Sequence, residues 1–208
     1  MLGLIGKKLG MLRIFDSNGT AIPVTVIEAG PCRVTQVKTA EKDGYNAVQL
    51  GFGQKKEKHL TKPVKGHLEK VPGYLPRTLG EFRVQDVSGF QLGQELTVEI
   101  FKEGEGVDVT GTVKGRGFQG VVKRHGFSGG DEAHGCDSKR VPGSVGSSAD
   151  PSRTWKNMKL PGQYGNTRQT VMSLRVVKVD TERNCLFVNG AVPGPSNGRV
   201  LVAKKKLG

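Results

Sequence analysis

The 208-residue chain is poor in cysteine, aromatics and acidic side chains, and it has no long apolar run. Its three cysteines, Cys32, Cys136 and Cys185, are too few and too scattered for a disulfide framework. That excludes a small disulfide-stapled secreted domain and leads us to expect a reduced, cytosolic protein. No stretch approaches the roughly 18 apolar residues of a membrane span, so no membrane partner is expected. The opening MLGLIGKKLGM puts its lysines after a five-residue apolar stretch, the reverse of the order in a signal peptide. Acidic residues number 19 against 32 Lys and Arg, a net charge of +13, and the pI is about 9.8. A 35% hydrophobic content argues against full disorder. A chain of this length buries roughly 70% of its unfolded surface. Charge of one sign in a folded chain points to an anionic polymer as partner, nucleic acid first.

What is present is mostly strand. Ile22–Glu28, Cys32–Lys38 and Tyr45–Phe52 alternate and are rich in β-branched residues, with turn-forming spacers between them. Leu79–Val84, Glu95–Phe101 and Val107–Val113 continue the pattern. It resumes at Thr170–Val179, Cys185–Asn189 and Arg199–Ala203. Short strands at close spacing predict a mainly β fold, a small barrel or sandwich. Lys55–Lys70 is lysine-rich with a weak helical pattern, so 55–78 is expected to be a small, partly helical insertion. The triplet Lys204–Lys206 reads as a solvated tail, with phosphate contact as the second reading.

Residues 110–168 differ from the rest. They hold 12 glycines, ten basic and four acidic side chains, and no Ile. No window there keeps a strand or helix period. A stretch this long without a pattern is either functional or disordered. Yet it contains Phe118, Phe127, Trp155, Tyr164, His125 and His134, which suits a segment ordered by a partner. The expected organisation is therefore a β domain of 1–109 plus 169–208, with 110–168 an irregular glycine-rich basic extension.

Three sharper motifs carry little weight. Gly115–Gly120 (GRGFQG) spells G-x-G-x-x-G, but a dinucleotide site needs a following helix in a βαβ unit. Gly126, Gly129 and Gly130 argue against that helix. Kinase chemistry would need H-R-D and D-F-G sequences, which are absent. Cys136 with His134 is a possible nucleophile and base, which leaves an RNA-directed enzyme as an alternative reading. One Cys and two His at irregular spacing do not make a metal site. Neither a metal nor another cofactor is expected. A general basic nucleic-acid-binding protein is the third reading, although no recognition-helix motif is present.

The motifs taken together carry a resemblance. GLIGKKLGM, then IPVTVIEAGPC, VTQVKT and DGYNAVQLGF, then DVTGTVKGRGFQGVVKRHGFSGG, HG, VPGSVG and LPGQYGN, and finally VVKVDTERNCLFVNGAVPGP occur in this order. The chain resembles the bacterial large-subunit ribosomal protein L3 family along essentially its whole length. The resemblance implies a closed β-barrel of the translation-protein type with a long extension. It implies binding to large-subunit rRNA near the 3′ end, a part in starting subunit assembly, and an extension that approaches the peptidyl-transferase centre. It further implies neighbouring ribosomal proteins as partners, a location in the cytoplasmic ribosome, and neither enzymatic activity nor a small-molecule substrate. Ser147 stands where several bacterial members carry a methylatable glutamine, so that modification does not carry over.

On this reading the extension acts in three ways. Lys114, Arg116, Lys123, Arg124, Lys139, Arg140, Arg153, Lys156, Lys159 and Arg168 neutralise phosphates. With about half engaged, the log–log salt slope of binding is roughly −4 to −5. Gly115, Gly117, Gly120, Gly143 and Gly146 let the backbone enter crowded RNA. His125, His134 and Trp155 stack on or hydrogen-bond to unpaired bases.

Overall fold

The structure is a computed structural model, described here for residues 2–205. The chain divides into two compact units, 1–112 with 168–208, and 113–167. The first unit is mainly β, as the sequence predicts. Six antiparallel strands close into a barrel: β1 (Gly3–Phe15), β12 (Arg199–Lys204), β7 (Gly106–Thr112), β10 (Arg168–Asp180), β11 (Cys185–Asn189) and β2 (Ala21–Glu28), which pairs back onto β1. A four-stranded sheet of β5 (Thr78–Arg83), β4 (Ala47–Phe52), β3 (Cys32–Lys38) and β6 (Glu95–Leu96) shares its core. Alternating residues point inward as the strand period requires: Val107 and Val109, Leu186 and Val188, Val200 and Val202 are all buried.

The sequence pattern misses β1. Its glycines and lysines are residues that strands disfavour. The packing supplies the reason for two of the glycines: a Cβ at Gly3 would overlap the Val202 carbonyl oxygen, and one at Gly6 would sit 2.8 Å from the Glu28 carbonyl oxygen. Neighbouring backbones approach too closely for any side chain. Gly3→Val should therefore cost on the order of 1–3 kcal/mol as overpacking, read as a lower urea midpoint with an unchanged slope.

Glu95–Phe101 is not one strand. After β6 the chain makes a 3-10 turn at Val98–Ile100. In that geometry residues three apart share a side, which sends Val98 and Phe101 together into the core. The EKDG spacer holds a one-turn helix, α1 (Ala40–Asp43), closed by Gly44 at φ 80°. The lysine-rich stretch contains a 3-10 turn at Glu57–His59 and α2 (Lys62–Leu68), whose Leu68 is buried. The solvated-tail reading of Lys204 is corrected: it ends β12, its amide bonds to the Leu2 carbonyl, and its ammonium lies 3.1 Å from Glu105. Lys205 donates its amide to the Gly106 carbonyl. Lys206 lies outside the described residues.

All three cysteines are unbridged. The Cys32 thiol, buried and donating to the Ile5 carbonyl at 3.3 Å, is pushed up from 9.0 to about 12 by burial. The unfolded chain thus releases this proton at lower pH than the folded one. Stability should fall as pH rises from 9 towards 12. Cys32→Ala should flatten that dependence in thermal melts.

No helix among the described residues is long and apolar enough to cross a membrane.

Candidate nucleic-acid interface

The unit 113–167 is ordered around one short ladder. β8 (Gly117–Gln119) pairs antiparallel with β9 (Gly162–Tyr164), placing Gly117 opposite Tyr164 and Phe118 opposite Gln163. A helix does open after Gly120, against the sequence expectation: α3 (Val121–His125). It lasts five residues because Gly126 adopts φ 75° and returns its amide to the Val122 carbonyl. No parallel strand follows it, so the dinucleotide reading still fails. From 126 to 161 the described chain has neither strand nor helix. Val121, 1% exposed, is the single buried apolar side chain of this unit.

Two donors hold α3 to the segment just before β9. Arg124 Nη1 donates to the Leu160 carbonyl oxygen at 2.6 Å, and His125 Nε2 reaches the same oxygen at 3.1 Å. A carbonyl has two lone pairs and only accepts, so His125 carries its proton on Nε2. Both side chains are half-buried. A Cβ at Gly162 would stand 2.5 Å from Arg124 Nη1, so a side chain there would push the guanidinium from its place. Gly165, at φ 71°, would place a Cβ on the Lys114 carbonyl oxygen. Neither glycine is singled out by the sequence reading. Of those that are, Gly117, Gly143 and Gly146 have positive φ, whereas Gly115 and Gly120 do not; a Cβ at Gly115 would make an ordinary 3.5 Å contact with Asn166, and one at Gly120 would meet open space.

The other expected contact residues face outward. Lys114, Arg116, Lys123, Lys139, Arg140, Arg153, Lys156 and Lys159 are exposed, as is Arg168 at the start of β10. Among the described residues none of the ten cations of 110–168 forms an ion pair; every ion pair lies in the other unit. Aromatic faces accompany them. Trp155 is 60% exposed with the Arg153 guanidinium 5.6 Å from its ring centre, and Arg116 lies 5.5 Å from that of Tyr164. Phe118, 73% exposed, was missed as a contact candidate. An aromatic directly after Gly117 within the glycine-rich GRGFQG run is the signal that marks it. His134 is exposed at φ 57°. Unpaired cations interleaved with exposed rings can neutralise phosphates and stack on bases at the same time.

Comparison with known proteins agrees. Residues 86–186 match the family model described as Ribosomal protein L3. A protein of Herpetosiphon aurantiacus named large ribosomal subunit protein uL3 is 54% identical over 203 residues, covering 97% of this chain and 95% of its own. Its namesake in Desulfatibacillum aliphaticivorans is 56% identical over 206 residues, covering 99% and 98%.

The chain belongs to the ribosomal protein L3 family. The L3 family consists of ribosomal proteins, and the chain is not an enzyme. Cys136 lies two residues from His134 in the same tract. No hydrogen bond joins its sulfur to His134 among the described residues; its amide bonds to the Ala133 carbonyl, and its sulfur lies beside Gly130. No cluster of metal-ligating side chains occurs among the described residues.

Proposed function

We propose that this L3-family chain is a constituent of the large ribosomal subunit in the cytoplasm, where it binds large-subunit rRNA near the 3′ end and helps nucleate assembly. Residues 110–168 form the rRNA-penetrating extension and approach the peptidyl-transferase centre, while the barrel meets neighbouring ribosomal proteins. No cofactor, small-molecule substrate or membrane enters this reading. The observation that carries it is the set of ten cations of 110–168 without ion pairs among the described residues, interleaved with exposed aromatics, nine of them on a unit with almost no apolar core. Such a surface leaves its charge for a partner, and a polyanion that releases counterions is the partner it favours. Lys114, Arg116, Lys123, Lys139, Arg140, Arg153, Lys156, Lys159 and Arg168 contact phosphates. Phe118, His134, Trp155 and Tyr164 stack on unpaired bases. Arg124 and His125 first fix the extension's own shape and present their remaining surface to RNA.

The test is sedimentation of native extract on sucrose gradients, with and without magnesium. The chain is expected to travel with the large subunit after dissociation. Recovery only at the top of the gradient, or equal affinity for duplex DNA and rRNA at physiological salt, would overturn the reading.

A further inference from the structure

The barrel unit carries a second cationic feature, away from the glycine-rich tract. A cleft of about 680 Å³ opens beside Lys7 of β1, Arg199 of β12 and Arg77 just before β5. It adjoins a smaller one of about 290 Å³ lined by Arg33, Tyr74 and Glu95. Both share Glu28, Phe52, Gly53 and Gln54 as walls. Together they fall in the size range of small-molecule sites.

The two ends differ chemically. At the wide end, Lys7 and Arg77 form no ion pair among the described residues, and Arg199 spends one donor on the Leu79 carbonyl at 3.0 Å. At the narrow end Arg33 is neutralised by Glu95 and lies 5.1 Å from the Tyr74 ring centre. The Tyr74 hydroxyl is buried, in a residue only 5% exposed, with no hydrogen-bond partner. A buried polar group left unpaired is costly and marks a place where a partner group belongs. Burial raises the Tyr74 phenol to about 12, so it stays a neutral donor.

Glu28 decides which ligand fits. A bare anion would meet this half-buried carboxylate, common to both parts of the cleft. A ligand with negative charge at one end and a ring bearing donors and acceptors at the other satisfies every group. We propose that the cleft holds a single phosphate-bearing nucleotide, its phosphate towards Lys7, Arg77 and Arg199 and its base between Phe52 and Tyr74. In the rRNA-binding reading, on which this rests, the nucleotide is an unpaired residue of the bound RNA. Glu28 accepts from the base's amino group and Tyr74 donates to a ring acceptor, which favours adenine, cytosine or guanine over uracil.

The test is ultraviolet crosslinking of large subunits containing the full chain, followed by mass spectrometry of tryptic peptides. The expected result is a nucleotide adduct on peptide 43–55, which contains Phe52. Tyr74→Phe, which keeps the ring, and Arg77→Gln at an exposed position should each lower that adduct at least tenfold. They should leave the Trp155 adduct unchanged, and neither should lower the melting temperature of the free protein, since Tyr74→Phe removes a buried hydroxyl that has no partner there. Adducts at Trp155 with none on 43–55 would overturn the cleft while leaving the rRNA-binding reading intact. Absence of adducts from every peptide would overturn both. Titration of the free chain with AMP separates the sources: saturable micromolar binding abolished by Arg77→Gln would assign the cleft to a free nucleotide and overturn its RNA origin.

Discussion

Excision of 113–167, with Thr112 joined to Arg168 through Asn-Gly, should yield a barrel that still unfolds in one cooperative transition but has lost most of its affinity for large-subunit rRNA. Thr112 and Arg168 face each other at the end of the β7–β10 ladder, and a two-residue turn closes such a pair. The excision removes one buried apolar side chain, Val121, from the described core. It also removes nine of the ten cations of the 110–168 tract. With about four of them on phosphates, the salt slope should flatten by roughly 3 to 4, and binding near 0.1 M salt should fall on the order of a hundredfold. Filter binding across a salt series and urea denaturation followed by circular dichroism measure the two halves. Unchanged affinity would move the RNA-binding face to the barrel.

Arg124→Glu should be the most damaging single change in the extension, more so than Arg116→Glu. Arg116 is exposed, and its reversal loses one phosphate contact and the cover over Tyr164. Arg124 also holds the Leu160 carbonyl. A hydrogen bond from a charged donor contributes about 2 kcal/mol, and a glutamate there would set a carboxylate against that carbonyl. On sucrose gradients, Arg124→Glu should accumulate incomplete large-subunit particles, Arg116→Glu fewer, and Lys42→Glu, on exposed α1, none. Arg124→Lys separates the roles: it keeps the charge but loses the planar fork, so its assembly defect should lie between Arg124→Glu and wild type. Equal profiles for all variants would remove the extension from assembly. Lys204→Glu would be a poor control, because it would place a second carboxylate beside Glu105.

The strands built from β-branched alternation, β2, β3, β11 and β12, could be read directly, because burying one face of a pleated strand writes a period of two into the sequence. β1 could not. Gly3 and Gly6 look like strand breakers until β12 and β2 are seen lying against them, and β12 lies nearly the whole chain length away. β8 and β9 are three residues each, too short to show any period. Within the interface, the cations and Trp155 could be read as residue types. The internal task of Arg124 and His125 could not, since Leu160 lies 35 residues beyond His125.

The sequence alone determined the mainly β character, the surplus positive charge and its glycine-rich setting, and the ordered motifs of the L3 family. These follow from composition and local pattern, which need no knowledge of what meets what. Tertiary structure decided which glycines admit no side chain, which arginine holds the extension together, where the tract can be cut, and that Tyr74 has a buried hydroxyl with no partner. Each of those depends on atoms brought within a few ångströms from distant parts of the chain, and strand pairing sets that proximity.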